Sequence, residues 1–145
     1  MDNISLKALA KINLGLDVVR RRDDGYHEVR MIMQTINLFD RLEIKKIKES
    51  AIKIHTNLFF LPVNENNLVY KAAKLLIDEF GIQEGVSVGL TKKIPVAAGM
   101  AGGSTDAAAM LFGMNRLFGL GLSKKQLMER GVKIGADVPY CIMRG

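Results

Sequence analysis

The sequence predicts an α+β fold, and three observations carry the prediction. Strand-like alternation fills the first half of the chain, the first clear helix pattern comes only after several strands, and further helix patterns follow it. A regular strand–helix repeat would interleave these elements from the start.

Ile4, Leu6, Ala8 and Ala10 lead into Ile12, Leu14, Leu16 and Val18, a period of two that predicts one long or bent strand. Arg22, Asp23, Asp24 and Gly25 end it as a turn. Val29–Leu38, Arg41–Ile47 and Ile52–Thr56, which includes His55, follow as strands expected to pair antiparallel. Asn66 or Asn67 caps a helix through Leu68, Ala72, Leu75, Leu76 and Phe80 that stops at Gly81. Val86–Leu90 alternates again and rejoins the sheet. A helix is expected from about Ser104 to Phe118, and Ser123 with Gln126 forms the capping box of a shorter one. The tail, "GVKIGADVPYCIMRG", reads as a turn and a short apolar strand.

The 145 residues suit one domain, with 48% apolar and 25% charged residues, an ordinary globular balance. Lys and Arg total 21 against 15 acidic residues, and the net charge of +6 favours anionic partners. The basic clusters at Arg20–Arg22, Lys45–Lys46 and Lys92–Lys93 read as solvated surface. Aromatics at 6%, with no Trp, are thin for a module that stacks on single-stranded bases. The single cysteine, Cys141, excludes an intramolecular disulfide and is expected as a small buried hydrophobe in a reducing cytoplasm. No signal-peptide pattern opens the chain, and no apolar run approaches the ~20 residues that span a bilayer. The expectation is a soluble, cytoplasmic protein without membrane or nucleic-acid partners.

Chemistry concentrates in "KKIPVAAGMAGGSTDAAAML", Lys92 to Leu111. A helix N-terminus offers free N–H groups and a partial positive charge, and glycines before it let a phosphate come close. Gly99, Gly102 and Gly103, followed by Ser104 and Thr105, supply that arrangement, with Lys92 and Lys93 near enough to add charge. A Walker A loop requires a Lys at a place where none stands, and the spacing does not match a dinucleotide fingerprint. The competing reading is a glycine turn before an alanine-rich helix packed on a sheet. Asp106 favours the helix dipole but repels a phosphate placed over it, so it is expected to point away.

The larger pattern decides between them. "IPVAAGMAGGSTDAAAML" resembles the phosphate-binding motif of the GHMP kinase superfamily. "AKINLGLDVVRRRDDGYHEV" looks like the N-terminal motif of the 4-diphosphocytidyl-2-C-methyl-D-erythritol kinase family within it, and "GADVPYCIMRG" resembles that family's third landmark. The resemblance implies a two-layer GHMP kinase N-terminal domain of the ribosomal protein S5 domain 2-like type. The implied activity is ATP-dependent phosphorylation of the 2-hydroxyl of 4-diphosphocytidyl-2-C-methyl-D-erythritol in the non-mevalonate isoprenoid pathway, with ATP and Mg2+. It implies Asp137 as the proton acceptor and Lys11 as its catalytic neighbour, Asn13 at the substrate, and Tyr26 and His27 on the cytosine base. It also places ATP on Asn67 and on Pro95, Val96, Ala97, Ala98, Gly99, Met100, Ala101, Gly102, Gly103, Ser104 and Thr105, with Ser104 or Thr105 near magnesium. Ala97, Ala98, Ala101 and Met100 depart from the glycine-richest form of the loop.

The family's enzymes are about twice this long, which implies that residues 1–145 form the N-terminal ATP-binding domain and that a C-terminal domain completes the cleft. Two other readings stand beside this one: a basic RNA-binding module of the same fold, and a GHMP kinase for another small alcohol. Lys11, the glycine loop and Asp137 have no reason to co-occur in the first, and "DGYHE" separates the chain from the second.

Overall fold

The chain is described here from a computed structural model over residues 1–9, 39–58, 60–94 and 102–144. Alternating side chains build a four-stranded sheet from β1 (Asn3–Leu9), β2 (Phe39–Ile47), β3 (Ile52–Thr56) and β4 (Gly85–Thr91), in the order β1-β2-β4-β3. β1 pairs antiparallel with β2, and β2 with β4, so Leu6 stands opposite Leu42 and Leu42 opposite Leu90. Leu42, Ile44, Val86, Val88 and Leu90 are buried, whereas the intervening Arg41, Glu43 and Lys45 are exposed. One face of the sheet therefore carries the core and the other meets water.

β3 departs from the antiparallel expectation, for it runs parallel to β4 with Ile54 opposite Val88. The cause is the helix between them, α1 (Leu68–Phe80), because parallel neighbours need a crossover of about this length. Asn67 caps α1 by accepting from the Val69 amide, and Gly81 ends it. Val69, Ala72, Ala73 and Leu76 form its buried stripe.

α2 (Gly102–Leu117) begins two residues ahead of the expected Ser104 and lies across the sheet at the centre of the core. Ala107, Ala108, Ala109, Met110, Leu111 and Met114 on it are all buried. At Gly113 a Cβ would sit 2.5 Å from Cδ1 of Ile44 and 2.7 Å from Cδ1 of Leu6, so the missing side chain sets how closely helix and sheet approach. α3 (Lys124–Gly131) has the expected capping box between Ser123 and Gln126.

The tail corrects the expectation of an apolar strand: Val138–Arg144 is a helix, α4. Val138, Cys141 and Ile142 are its buried residues, a spacing of three and four that suits a helix face and not a strand. Pro139 stands in the first turn, where its missing N–H breaks no helical bond. The continuation of the first strand beyond Leu9 and the strand expected over Val29–Leu38 lie outside the described residues.

At Gly85, where β4 begins, a Cβ would collide with the backbone oxygens of Glu49 and Ala51. Backbone cannot rotate away as a side chain can, so Gly85→Ala is expected to destabilise the domain by about 2–3 kcal/mol. Urea unfolding checks this, and an unchanged midpoint would contradict the packing described.

Candidate active site

Three helix starts converge at one end of the domain. The first turn of α2, Gly102 to Thr105, contains no acidic side chain, and its leading N–H groups have no partner within the helix. A Cβ on Gly103 would lie 3.4 Å from Cδ1 of Leu68, which places the start of α2 against the start of α1. Between them lies a cavity of about 170 Å³ lined by Leu61, Pro62, Asn67, Leu68, Gly103 and Asp106, among others. Leu61, Pro62, Leu68 and Val69 give it apolar walls, and Asn66, Asn67, Lys92 and Asp106 polar ones. Asn67 builds the wall: its Oδ1 accepts from the Val69 amide at 2.8 Å and its Nδ2 donates to the Pro62 carbonyl at 2.9 Å.

α4 joins from the other side. Thr105 Oγ1 and Cys141 Sγ lie 3.6 Å apart in the core, linking the first turn of α2 to α4. The Cys141 amide donates to the Asp137 carbonyl at 3.2 Å, so Asp137 sits one helical turn before that link. Asp137 is exposed at this position. Thr105 is 6% exposed with its hydroxyl at Cys141, and Ser104 is half-buried beside it.

Behind the α2 start lies a charge cluster that the sequence reading did not assemble. Lys92 Nζ donates to Asp40 Oδ2 and to Asp106 Oδ2, each at 2.7 Å. All three side chains are at most 5% exposed. Lys92 is therefore committed to two carboxylates. Asp106 turns to Lys92, and both side chains line the inner wall of the cavity. The signal for this cluster was strand alternation: Asp40 continues the inward face of Leu42 and Ile44, and Lys92 that of Val88 and Leu90. Arg41 pairs with Thr91, so one more step of the same antiparallel register sets Asp40 opposite Lys92.

Two carboxylates around one ammonium need a proton to balance their charge. Burial, reinforced by the neighbouring Asp40 carboxyl and opposed by Lys92, pushes Asp106 from 3.8 up to about 8. Burial acts against ionisation of Asp40 too, but hydrogen bonds from Asp106, the Ile94 amide, Lys92 and the Lys93 amide outweigh it and hold Asp40 below its ordinary value. Burial likewise opposes the Lys92 charge, and the two aspartates outweigh it and raise Lys92. Near neutrality the cluster is one carboxylate, one ammonium and one neutral acid. Asp106 Oδ1 is buried with no hydrogen-bond partner among the described residues, which suits a neutral carboxyl better than a bare anion.

Of the residues expected in the site, Gly102, Gly103, Ser104, Thr105, Asn67 and Asp137 are described, and the starts of α1, α2 and α4 bring them to one end of the domain. Lys11, Asn13, Tyr26, His27, Pro95, Val96, Ala97, Ala98, Gly99, Met100 and Ala101 lie outside the described residues. Among the described residues no three His, Cys, Asp or Glu side chains are grouped to hold a metal ion. No helix among them is long and apolar enough to cross a membrane.

The protonation of Asp106 has a consequence for stability. Its folded value of about 8 stands above the ordinary 3.8, so the folded chain keeps a proton that the unfolded chain releases. The stability this proton contributes is complete below the lower value and is lost progressively as pH rises towards the upper one. Asp106→Asn removes the titration. Between about pH 5 and 8 the parent should lose stability relative to this variant with a slope approaching ~1.4 kcal/mol per pH unit in urea unfolding, and parallel profiles would refute the assignment.

Comparison with known proteins agrees with this fold. A family model described as the GHMP kinases N terminal domain matches residues 67–145. Curated relatives named 4-diphosphocytidyl-2-C-methyl-D-erythritol kinase, from Lachnospira eligens and Lachnoclostridium phytofermentans, are each 62% identical over the whole chain, which covers 50% of their own length. The chain thus spans about half the length of the curated relatives it matches. The crystal structure of a 4-(cytidine 5'-diphospho)-2C-methyl-D-erythritol kinase superposes with a TM-score of 0.63 at 32% identity, over 74% of this chain and 37% of that one. A homoserine kinase from Cytophaga hutchinsonii shares the fold at a TM-score of 0.63 and 20% identity, over 75% of this chain and 35% of its own. The α+β architecture expected from the resemblance is the one observed, and the chain belongs to the GHMP kinase family through its N-terminal domain.

Proposed function

We propose that the chain is the ATP-binding part of a small-molecule kinase that phosphorylates the 2-hydroxyl of 4-diphosphocytidyl-2-C-methyl-D-erythritol, in the supply of isoprenoid precursors. The observation that carries this reading is the start of α2, with no acidic side chain in its first turn, beside the cavity at α1. At about 170 Å³ the cavity is smaller than the ~300 Å³ and above of sites that enclose a whole ligand, and fits a part such as a planar base. Gly102 and Gly103 then present backbone N–H groups to the phosphates, and the neutral state of Asp106 leaves no full negative charge behind them. The 62% identity to relatives named 4-diphosphocytidyl-2-C-methyl-D-erythritol kinase supports the substrate, as does the "DGYHE" that separates the chain from other GHMP kinases.

Magnesium bound with ATP supplies charge neutralisation on the transferring phosphoryl group. Magnesium held largely by phosphates and water needs few protein ligands, and the hydroxyls of Ser104 and Thr105 are the described groups that would serve. Asp137 accepts the proton of the substrate hydroxyl, with Lys11 orienting the reacting oxygen and Asn13 beside it. Tyr26 stacks on the cytosine and His27 hydrogen-bonds its edge.

Titration calorimetry with a β,γ-imido ATP analogue tests the nucleotide site. Gly102→Asp puts a carboxylate where the phosphates are to lie, and should weaken binding about tenfold or more. An unchanged affinity would place the nucleotide elsewhere. For catalysis, Asp137→Asn is tested in the chain joined to the C-terminal half of a relative. It should lower kcat about 10²–10⁴-fold with analogue affinity unchanged. Equal transfer to homoserine or mevalonate would reject the proposed acceptor.

A further inference from the structure

Lys92 and Lys93 are neighbours just ahead of the glycine-rich segment, yet the fold uses them differently. Lys93 is exposed, with its ammonium 5.3 Å from the centre of the Phe39 ring. Lys92 is buried between Asp40 and Asp106. Asp40 does more than pair with it, since its Oδ1 accepts the amides of Lys93 at 2.7 Å and Ile94 at 2.9 Å. Asn57 completes the hold: its Oδ1 accepts the Lys92 amide at 2.8 Å and its Nδ2 donates to the Lys92 carbonyl at 3.2 Å.

These bonds share one geometry. The chain leaving β4 is fixed by Asp40 and Asn57, and α2 is held through Asp106. Lys92 Nζ is the atom that joins the two. A buried ion pair adds little net stability over apolar side chains of the same volume, so stability alone is a poor reason for such a cluster. Fixed arrangement is the better one.

We propose that Lys92 is a positioning residue for the nucleotide site: it ties the chain leaving β4 to the first turns of α2, so that the start of α2 is held ready for the phosphates, and its ammonium does not contact them. This rests on the nucleotide reading of the site given above. A phosphate-contacting Lys92 would be released, and made more available, by removing Asp106. A positioning Lys92 loses its purpose when Asp106 is removed.

The test is calorimetry of the full chain with the β,γ-imido ATP analogue. Lys92→Met and Asp106→Ala should each weaken binding about tenfold or more, since small displacements of positioned groups are costly in such sites. Asp106→Asn keeps an oxygen for Lys92 and should restore most of the affinity that Asp106→Ala loses, a rescue by the conservative variant. Leu127→Ala, a buried core change on α3, should lower the Tm yet bind as the parent does. Lys92→Met leaves two carboxylates without a cation, so if it fails to fold the Asp106 pair decides. Parental or tighter binding by Asp106→Ala overturns the proposal, as does equal weakening by Leu127→Ala. If the parent itself does not bind the analogue, the nucleotide reading fails, and hydrogen exchange on the ligand-free chain then tests the lock alone. Amides of Lys93 and Ile94 should exchange about tenfold faster in Asp106→Ala than in the parent, while those of β2 keep their protection. Unchanged exchange at both overturns the lock.

Discussion

The close seating of α2 on the sheet is the constraint from which the rest of the domain follows. Glycine at 113 lets the helix axis approach β1 and β2, and the alanine run lets the surrounding elements close over it. A helix enclosed in this way has little surface for polar groups except at its start. Its polar residues near that start must therefore find partners inside: Thr105 turns to Cys141, and Asp106 to Lys92. The first turn itself carries glycines and a serine and no acidic side chain.

That arrangement also resolves an electrostatic conflict. An aspartate on a helix that is to receive phosphate should oppose the ligand, and its burial is costly as an anion. The cluster answers both at once. Asp40 carries the negative charge, Lys92 the positive, and Asp106 the proton, so the core behind the phosphate site is close to electrically neutral. Asp40 is held low by backbone amides as well as by Lys92, which settles which of the two acids ionises.

Local rules made much of this legible. The cap and stop of α1, the capping box of α3, the alternation of β4 and the body of α2 are each written within a dozen or so neighbouring residues. Features that depend on distant partners were not. The parallel pairing of β3 is set by the crossover through α1 and not by its own five residues. The tail helix is short and contains a proline, and its three apolar contacts point to a helix only once α2 and α3 are beside it. In the site, Gly102, Gly103 and Ser104 were recognisable as a loop-to-helix pattern. Lys92 was read as surface because a two-lysine run usually is, and Asp40 fell between two expected strands although its alternation with Leu42 and Ile44 placed it inside.

The cluster joins residues that are far apart along the chain. Lys92 reaches back 52 positions to Asp40 and forward 14 to Asp106. During folding each of these charges keeps its water until β2, β4 and α2 have all come together, because burying any one of them without its partners costs several kcal/mol. States in which α2 has docked but the sheet is incomplete are thus disfavoured, and so are states in which the sheet is formed and dehydrated without α2. The barrier to folding is expected to include this three-way closure, with its long loop already paid in entropy. The same coupling ties fluctuations at the ligand-binding end of α2 to the integrity of the whole sheet, so that the domain opens as one cooperative unit.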